Sequence, residues 1–158
     1  PKAITARCLV MRDNSKTTDY FHVLLHYSDC EVVLHGSPFS AGPNLRFQVQ
    51  GTKGSFTKYG YDPQEELLIL GKVPNTPQWA EENEEQFGTL FTEADSEIVP
   101  TIPGSYQSYY SGIADAINTG IEVPVRAEDA LRVIYLLEIA EKSNQLGRTL
   151  AIDPDKIC

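Results

Sequence analysis

The chain has 158 residues, 41% of them hydrophobic, and a net charge of −9. That is enough for one domain with a core of ordinary size. The acidic balance argues against nucleic-acid partners and anionic membrane surfaces, because the 13 Lys and Arg are scattered and form no basic patch.

The opening residues alternate like a half-buried strand over 3–11, followed by strands over 19–27 and 31–36. Asp13 to Lys16 and Ser28 to Cys30 supply the turns of a consecutive antiparallel meander. Two further strands, 46–50 and 55–59, flank the hairpin punctuation Gly51, Thr52, Lys53, Gly54. Gly60, Tyr61, Asp62 and Pro63 then end the strand in a turn. Residues 64–70 read as a helical turn or another strand. Residues 88–92 and 97–101 form a hairpin around Ala94, Asp95 and Ser96.

Helices dominate the remainder. Ser105 caps a helix whose Tyr106, Tyr109, Tyr110, Ile113 and Ile117 make a stripe expected to face the core, and Asn118 to Gly120 end it. A longer helix, about 127–145, carries Ala130, Val133, Ile134, Leu137 and Ala140 on one face. Glu128 and Asp129 suit its first turn and Lys142 its last. Gly147 stops it, and 149–152 offers a short final strand. Strands first and helices last predict an α+β fold: a mostly antiparallel, open-faced sheet with two C-terminal helices on one face. Apolar residues on both faces of the strands predict that a partner covers the second face.

The acidic run Glu81, Glu82, Asn83, Glu84, Glu85 reads as a solvated face. It lacks the spaced ligands and turn glycine of a calcium loop. Cys8, Cys30 and Cys158 are odd in number and unpaired in spacing, which points to a reducing, cytoplasmic compartment. No apolar run approaches the roughly 18 residues of a membrane span. The first residue is Pro1 and a strand begins at once, as expected of a piece of a longer protein.

Glycines at dinucleotide-binding spacing, a phosphate loop, a nucleophile elbow and a Cys-x-x-Cys pair are all absent. His22, His26 and His35 are the tempting metal constellation. On a two-residue turn at Asp29 and Cys30, His35 would lie diagonal to the other two. Four strand residues span about 13 Å, so His22 and His26 do not reach one ion. Hydrogen-bonded sheet histidines are the favoured reading, with no metal.

Two groups remain as substrate-binding candidates. Tyr106, Tyr109 and Tyr110 present hydroxyls on apolar rings, which suits a sugar or polyol, although packing is their commoner use. Lys58, Asp62 and Gln64 gather polar groups at a strand end and turn. Their alternative is a surface salt bridge and a turn cap.

Laid end to end, these pieces resemble the C-terminal domain of the Gfo/Idh/MocA oxidoreductases, the glucose–fructose oxidoreductase, inositol dehydrogenase and rhizopine-catabolism family. The similarity runs from about Thr17 to Ile152. It is carried by Thr18 to His22, Val33 to Gly36, Gly51 to Ser55, Pro103 to Tyr106 with Tyr109 and Tyr110, and most specifically by Lys58 to Glu65. The resemblance implies a two-domain parent with an N-terminal Rossmann domain that binds NAD or NADP. In that parent a Glu-Lys-Pro motif and a helix bearing Asp and His serve hydride transfer at a sugar or polyol hydroxyl. Neither motif occurs here, so residues 1–158 are expected to be the C-terminal substrate-binding and oligomerisation domain. Such a domain holds no catalytic residue, binds no cofactor and is inactive alone. Its implied partners are the missing Rossmann domain and a second copy across the open sheet face. Segments 39–43 and 78–86 match no pattern of the family and leave substrate choice open. The competing readings are a freestanding, non-enzymatic α+β binding or scaffold module and a small hydrolase or isomerase. The last lacks an evident acid/base pair.

Overall fold

A computed structural model describes residues 1–74, 76 and 78–156. The elements run β1 (Ala3–Leu9), β2 (Tyr20–His26), β3 (Glu31–Gly36), β4 (Leu45–Gly51), β5 (Gly54–Tyr59), α1 (Gln64–Ile69), β6 (Gly88–Phe91), β7 (Ser96–Val99), α2 (Tyr106–Thr119), α3 (Ala127–Leu146) and β8 (Leu150–Ala151). The α+β class and the antiparallel pairing are as the sequence predicts. The strands divide into two four-stranded sheets, ordered β3-β2-β1-β8 and β4-β5-β6-β7. Of residues 64–70, which read as helical turn or strand, 64–69 form helix α1. The chain forms two compact units, residues 1–40 with the segment from 125 onward, and residues 41–124.

In the first unit, Ile4 and Ala6 of β1 lie opposite Leu25 and Val23 of β2, so all four side chains share one face. That face packs against α3, with Ile4, Ala6, Val23, Ala140 and Ile152 buried and Tyr135, Leu136 and Ile139 around them. β8 pairs with β1 only at Ala3 and Ile4. Beyond it the N–H groups of β1 would be orphaned, and the helix supplies their partners. The Ala6 N–H donates to Ser143 Oγ at 3.0 Å and the Cys8 N–H to Asn144 Oδ1 at 2.9 Å. Ser143 Oγ donates onward to the Arg148 carbonyl at 2.7 Å and is fully buried. Ser143→Ala should therefore lower stability by about 2–3 kcal/mol, read as a shifted urea midpoint, since it leaves a buried N–H and a carbonyl unpaired.

Two of the three sheet histidines are hydrogen-bonded, as expected, while His22 meets the His35 ring at 5.5 Å between centroids. His26 Nδ1 meets Glu31 at 2.7 Å and its Nε2 meets the Thr5 hydroxyl at 2.8 Å. His35 Nδ1 donates to the Phe21 carbonyl at 3.0 Å. The turn falls one residue earlier than predicted, the Tyr27 N–H donating to the Cys30 carbonyl at 3.1 Å across a tip of Ser28 and Asp29. His26 pairs with Glu31, and His35 stands directly opposite His22. Among the described residues no three metal-ligating groups converge, and no helix is long and apolar enough to cross a membrane.

The two long helices correct the predicted faces. On α3 the packed side runs through Tyr135, Leu136, Ile139, Ala140 and Ser143. Ala130, Val133, Ile134 and Leu137, which the sequence groups with Ala140 on one face, are exposed. The helix is apolar on more than one side, so periodicity alone does not select which stripe meets the sheet. On α2 no residue is buried, and Tyr110 and Ile117 are 72% and 79% exposed. Among the described residues, Tyr106, Tyr109, Tyr110 and Ile117 of its stripe are exposed and only Ile113 is half-buried. The Ser105 hydroxyl bonds the Ser108 hydroxyl at 2.5 Å instead of capping backbone N–H groups. Gly120 does end α2 in the left-handed conformation, φ +74°.

In the second unit, Gly51 pairs with Gly54 across the tip formed by Thr52 and Lys53. Phe47 and Val49 lie opposite Lys58 and Phe56 on one face, while Thr57, Thr89 and Ile98 align on the other. Phe47, Val49 and Ile98 are all exposed, so both faces carry uncovered apolar side chains.

Candidate functional site

The start of β4, the end of β5 and the turn after it line a small cavity of about 180 Å³. Lys58, Asp62, Glu82, Thr101 and Gly104 are among its walls. Strand alternation puts Lys58 on the face of Phe56, and its ammonium is engaged three times. It donates to Glu82 Oε2 at 2.5 Å, the Gln86 carbonyl at 2.7 Å and Thr101 Oγ1 at 2.9 Å. The Lys58 and Glu82 side chains are only 13% and 4% exposed, so this is a buried ion pair in place of the surface salt bridge. Its acidic partner comes from the run that reads as a solvated face. Glu82 turns inward, and a short helical turn after it is closed by Asn83 N–H donating to Gln86 Oε1 at 3.0 Å.

Asp62 opens α1. Its Oδ1 accepts the Gln64 N–H at 3.0 Å and its Oδ2 accepts the Gln64 side-chain amide at 2.9 Å, the turn-cap arrangement of an Asx residue. Gln64 is fully buried and acts as a hub. Its Oε1 accepts Trp79 Nε1 at 3.2 Å and the Tyr106 backbone N–H at 2.9 Å. One carboxamide thus ties α1, the 78–80 segment and the first turn of α2 together. Gln64 positions other groups and presents no free polar edge to a ligand.

The 78–80 segment carries strain. Gln78 and Ala80 have φ of +63° and +60°, and neither is glycine. Each left-handed residue costs about 1–2 kcal/mol. Burial of Trp79 and Ala80 and the indole bond to Gln64 hold them there. Ala80 lines the cavity, so the strained backbone shapes its wall.

Gly104 completes the wall. A Cβ there would collide with the Gln64 amide and the Asp62 carboxylate. Gly104→Ala should therefore cost about 1–3 kcal/mol, measured by chemical denaturation, because it pushes on the hub of the network. Of the predicted site residues, the structure brings Lys58, Asp62 and Gln64 together and joins Tyr106 to them through its backbone. The Tyr109 and Tyr110 rings stack edge-to-face at 5.4 Å on the exposed side of α2. Glu82, Thr101 and Trp79 escape the sequence reading.

Residues 5–152 match the family described as "Oxidoreductase family, C-terminal alpha/beta domain" of the Gfo/Idh/MocA group. The chain belongs to that family. A Bacillus subtilis relative named scyllo-inositol 2-dehydrogenase (NADP(+)) IolW is 36% identical over 157 residues, covering 97% of this chain and 44% of that protein. The Escherichia coli oxidoreductase YdgJ, itself uncharacterized, is 36% identical over 154 residues, covering 96% of this chain and 44% of its own length. The solved structure of the Bacillus subtilis oxidoreductase yvaA superimposes with a TM-score of 0.91 at 36% identity, covering 97% of this chain and 46% of that one. The chain thus spans less than half the length of these Gfo/Idh/MocA proteins and corresponds to their C-terminal domain.

Proposed function

We propose that this chain is the substrate-side and oligomerisation domain of an NAD(P)-dependent oxidoreductase acting on a sugar, polyol or related hydroxyl or carbonyl compound. The observation that carries the reading is the match over nearly the whole chain to the C-terminal part of oxidoreductases about twice as long. The nearby name of an inositol dehydrogenase supports the substrate class. In the parent, a bound nicotinamide supplies the hydride chemistry. The residues of this chain bind and orient the substrate, and they contain no glycine-rich loop that would hold the dinucleotide. The Asp62 carboxylate, with the hydroxyls of Tyr106, Tyr109 and Tyr110, serves the substrate hydroxyls, while Lys58 and Gln64 hold the wall in place.

Uncovered apolar surface supports the partner assignments. Val133, Ile134 and Leu137 on α3 await a second surface, and both faces of the β4–β7 sheet expose Phe47, Val49 or Ile98. A Rossmann domain and a second copy of the chain are the proposed occupants. The thiol inventory supports a cytoplasmic setting. Cys8 and Cys30 are free, and burial, with Glu141 adding to it, pushes the Cys8 thiol above its usual range.

The test is to assay the longer gene product with NADH, NADPH and their oxidised forms against a panel of polyols, sugars and ketoses. Nicotinamide-dependent turnover of a hydroxyl or carbonyl compound is expected. Absence of any such turnover from a folded, cofactor-binding parent would overturn the reading. The 158-residue chain alone should show no thermal shift with either nucleotide and should dimerise in light scattering.

A further inference from the structure

The β4–β5 ladder breaks register between Leu45 and Phe47, and Arg46 is the extra residue. Such a bulge re-aims a side chain out of the strict alternation of a strand. Here it brings Arg46 to the wall of the cavity next to Tyr61 and Asp62. The guanidinium carbon sits 5.4 Å from the centroid of the Phe47 ring and 5.8 Å from that of Tyr61. It is within cation–π range of both rings, a contact that Arg makes more often than Lys. Tyr61 is itself fixed, its hydroxyl oxygen accepting the Asn44 side-chain amide at 2.9 Å. Gly60, at φ +82°, makes the turn that carries Tyr61 there.

What distinguishes Arg46 is the state of its neighbours. Lys58 has its three donors engaged and its charge matched by Glu82. Arg46 has no carboxylate within ion-pair range and donates no side-chain hydrogen bond among the described residues. The Tyr61 hydroxyl accepts a bond and keeps its own proton to give. Each Asp62 oxygen takes one amide proton and keeps a lone pair. The cavity thus offers a forked cationic donor and a phenolic donor, together with a carboxylate acceptor. At about 180 Å³ it admits a head group, not a large ligand.

We propose that this cavity binds the oxyanion end of a polyhydroxylated acid, a carboxylate or a phosphate monoester, and that Arg46 selects such a substrate over an uncharged polyol. The guanidinium fork and the Tyr61 hydroxyl take the oxyanion, and Asp62 accepts from a neighbouring hydroxyl. The inference rests on reading this cavity as part of the substrate site and narrows the substrate class proposed for it.

The test is calorimetric titration of the 158-residue chain with gluconate, sorbitol 6-phosphate, inorganic phosphate and myo-inositol, on the native chain and on Arg46→Ala and Arg46→Lys. At least one hydroxylated anion should bind about tenfold or more tighter than inositol, a preference a charge-assisted hydrogen bond supplies. That preference should weaken with added salt, vanish in Arg46→Ala and survive only in part in Arg46→Lys, with circular dichroism unchanged. Gluconate against sorbitol 6-phosphate tells carboxylate from phosphate. Equal binding of charged and uncharged ligands, no binding of any of them, or anion binding untouched by Arg46→Ala would overturn the proposal. A parent enzyme that oxidises uncharged polyols with kcat/KM unmoved by Arg46→Ala sinks this proposal and leaves the oxidoreductase reading standing. A parent without hydride transfer, whose chain still binds the anions through Arg46, does the reverse.

Discussion

Gln64→Leu is expected to destabilise the chain by about 3–5 kcal/mol, which for a chain of this size means a melting temperature lower by roughly 10 °C. Gln64 has no exposed surface, and its carboxamide oxygen serves both the Trp79 indole N–H and the Tyr106 backbone N–H. Leucine fills a similar volume and serves neither. A buried and a partly buried donor are then left unpaired, at about 1–3 kcal/mol each, and Asp62 loses the amide that meets its Oδ2. Gln64→Glu separates the roles. A carboxylate still accepts from Trp79 and Tyr106, but it gives nothing to Asp62 and sets two carboxylates side by side, so its loss should grow as pH rises above the carboxylate range. The strained pair Gln78 and Ala80 should relax in both variants, seen as faster hydrogen exchange at Trp79 and Ala80. A cost below about 1 kcal/mol for Gln64→Leu would mean that the network decorates the cavity and does not hold it.

Most strand and helix boundaries were legible because the signals were local. The Gly51 to Gly54 hairpin, the stops at Gly120 and Gly147 and the 20 residues of α3 follow from turn chemistry and helix-ending glycines. What failed was the assignment of faces. Val133, Ile134 and Leu137 are as apolar as Leu136 and Ile139, and only the sheet beneath decides which set is buried. The tyrosine stripe of α2 reads inward from sequence for the same reason, because a stripe marks a surface that wants a partner and does not name it. At the site, Lys58, Asp62 and Gln64 were found because they stand at a strand end and turn. Glu82 was missed because its neighbours Glu81, Glu84 and Glu85 really are solvated, and one inward residue in such a run has no local mark. Arg46 was missed because a bulge breaks the period-two rule by which strand faces are read.

The Lys58–Glu82 pair should show the largest coupling in the chain. Lys58→Met leaves a carboxylate with 4% of its side chain exposed and no cation beside it, and removes the donor to the Gln86 carbonyl and Thr101 hydroxyl. A loss of about 3–5 kcal/mol is expected in urea unfolding. Glu82→Leu should cost less, since Lys58 keeps two neutral acceptors and a little more access to water. Buried ions are expensive to desolvate, so Lys58→Met combined with Glu82→Leu should recover most of the loss, to within about 1 kcal/mol of the native chain. The double-mutant cycle should then give about 2–4 kcal/mol of coupling. Because the pair is shielded from solvent, that coupling should change little with added salt. The same double variant tests function. If Lys58 only braces the wall, ligand binding returns with stability. If Lys58 touches substrate directly, the restored fold still fails to bind, and the residue moves from positioning to contact. Near-zero coupling would mean that the short contact in the structure is not maintained in solution and that the cavity wall is held by Gln64 alone.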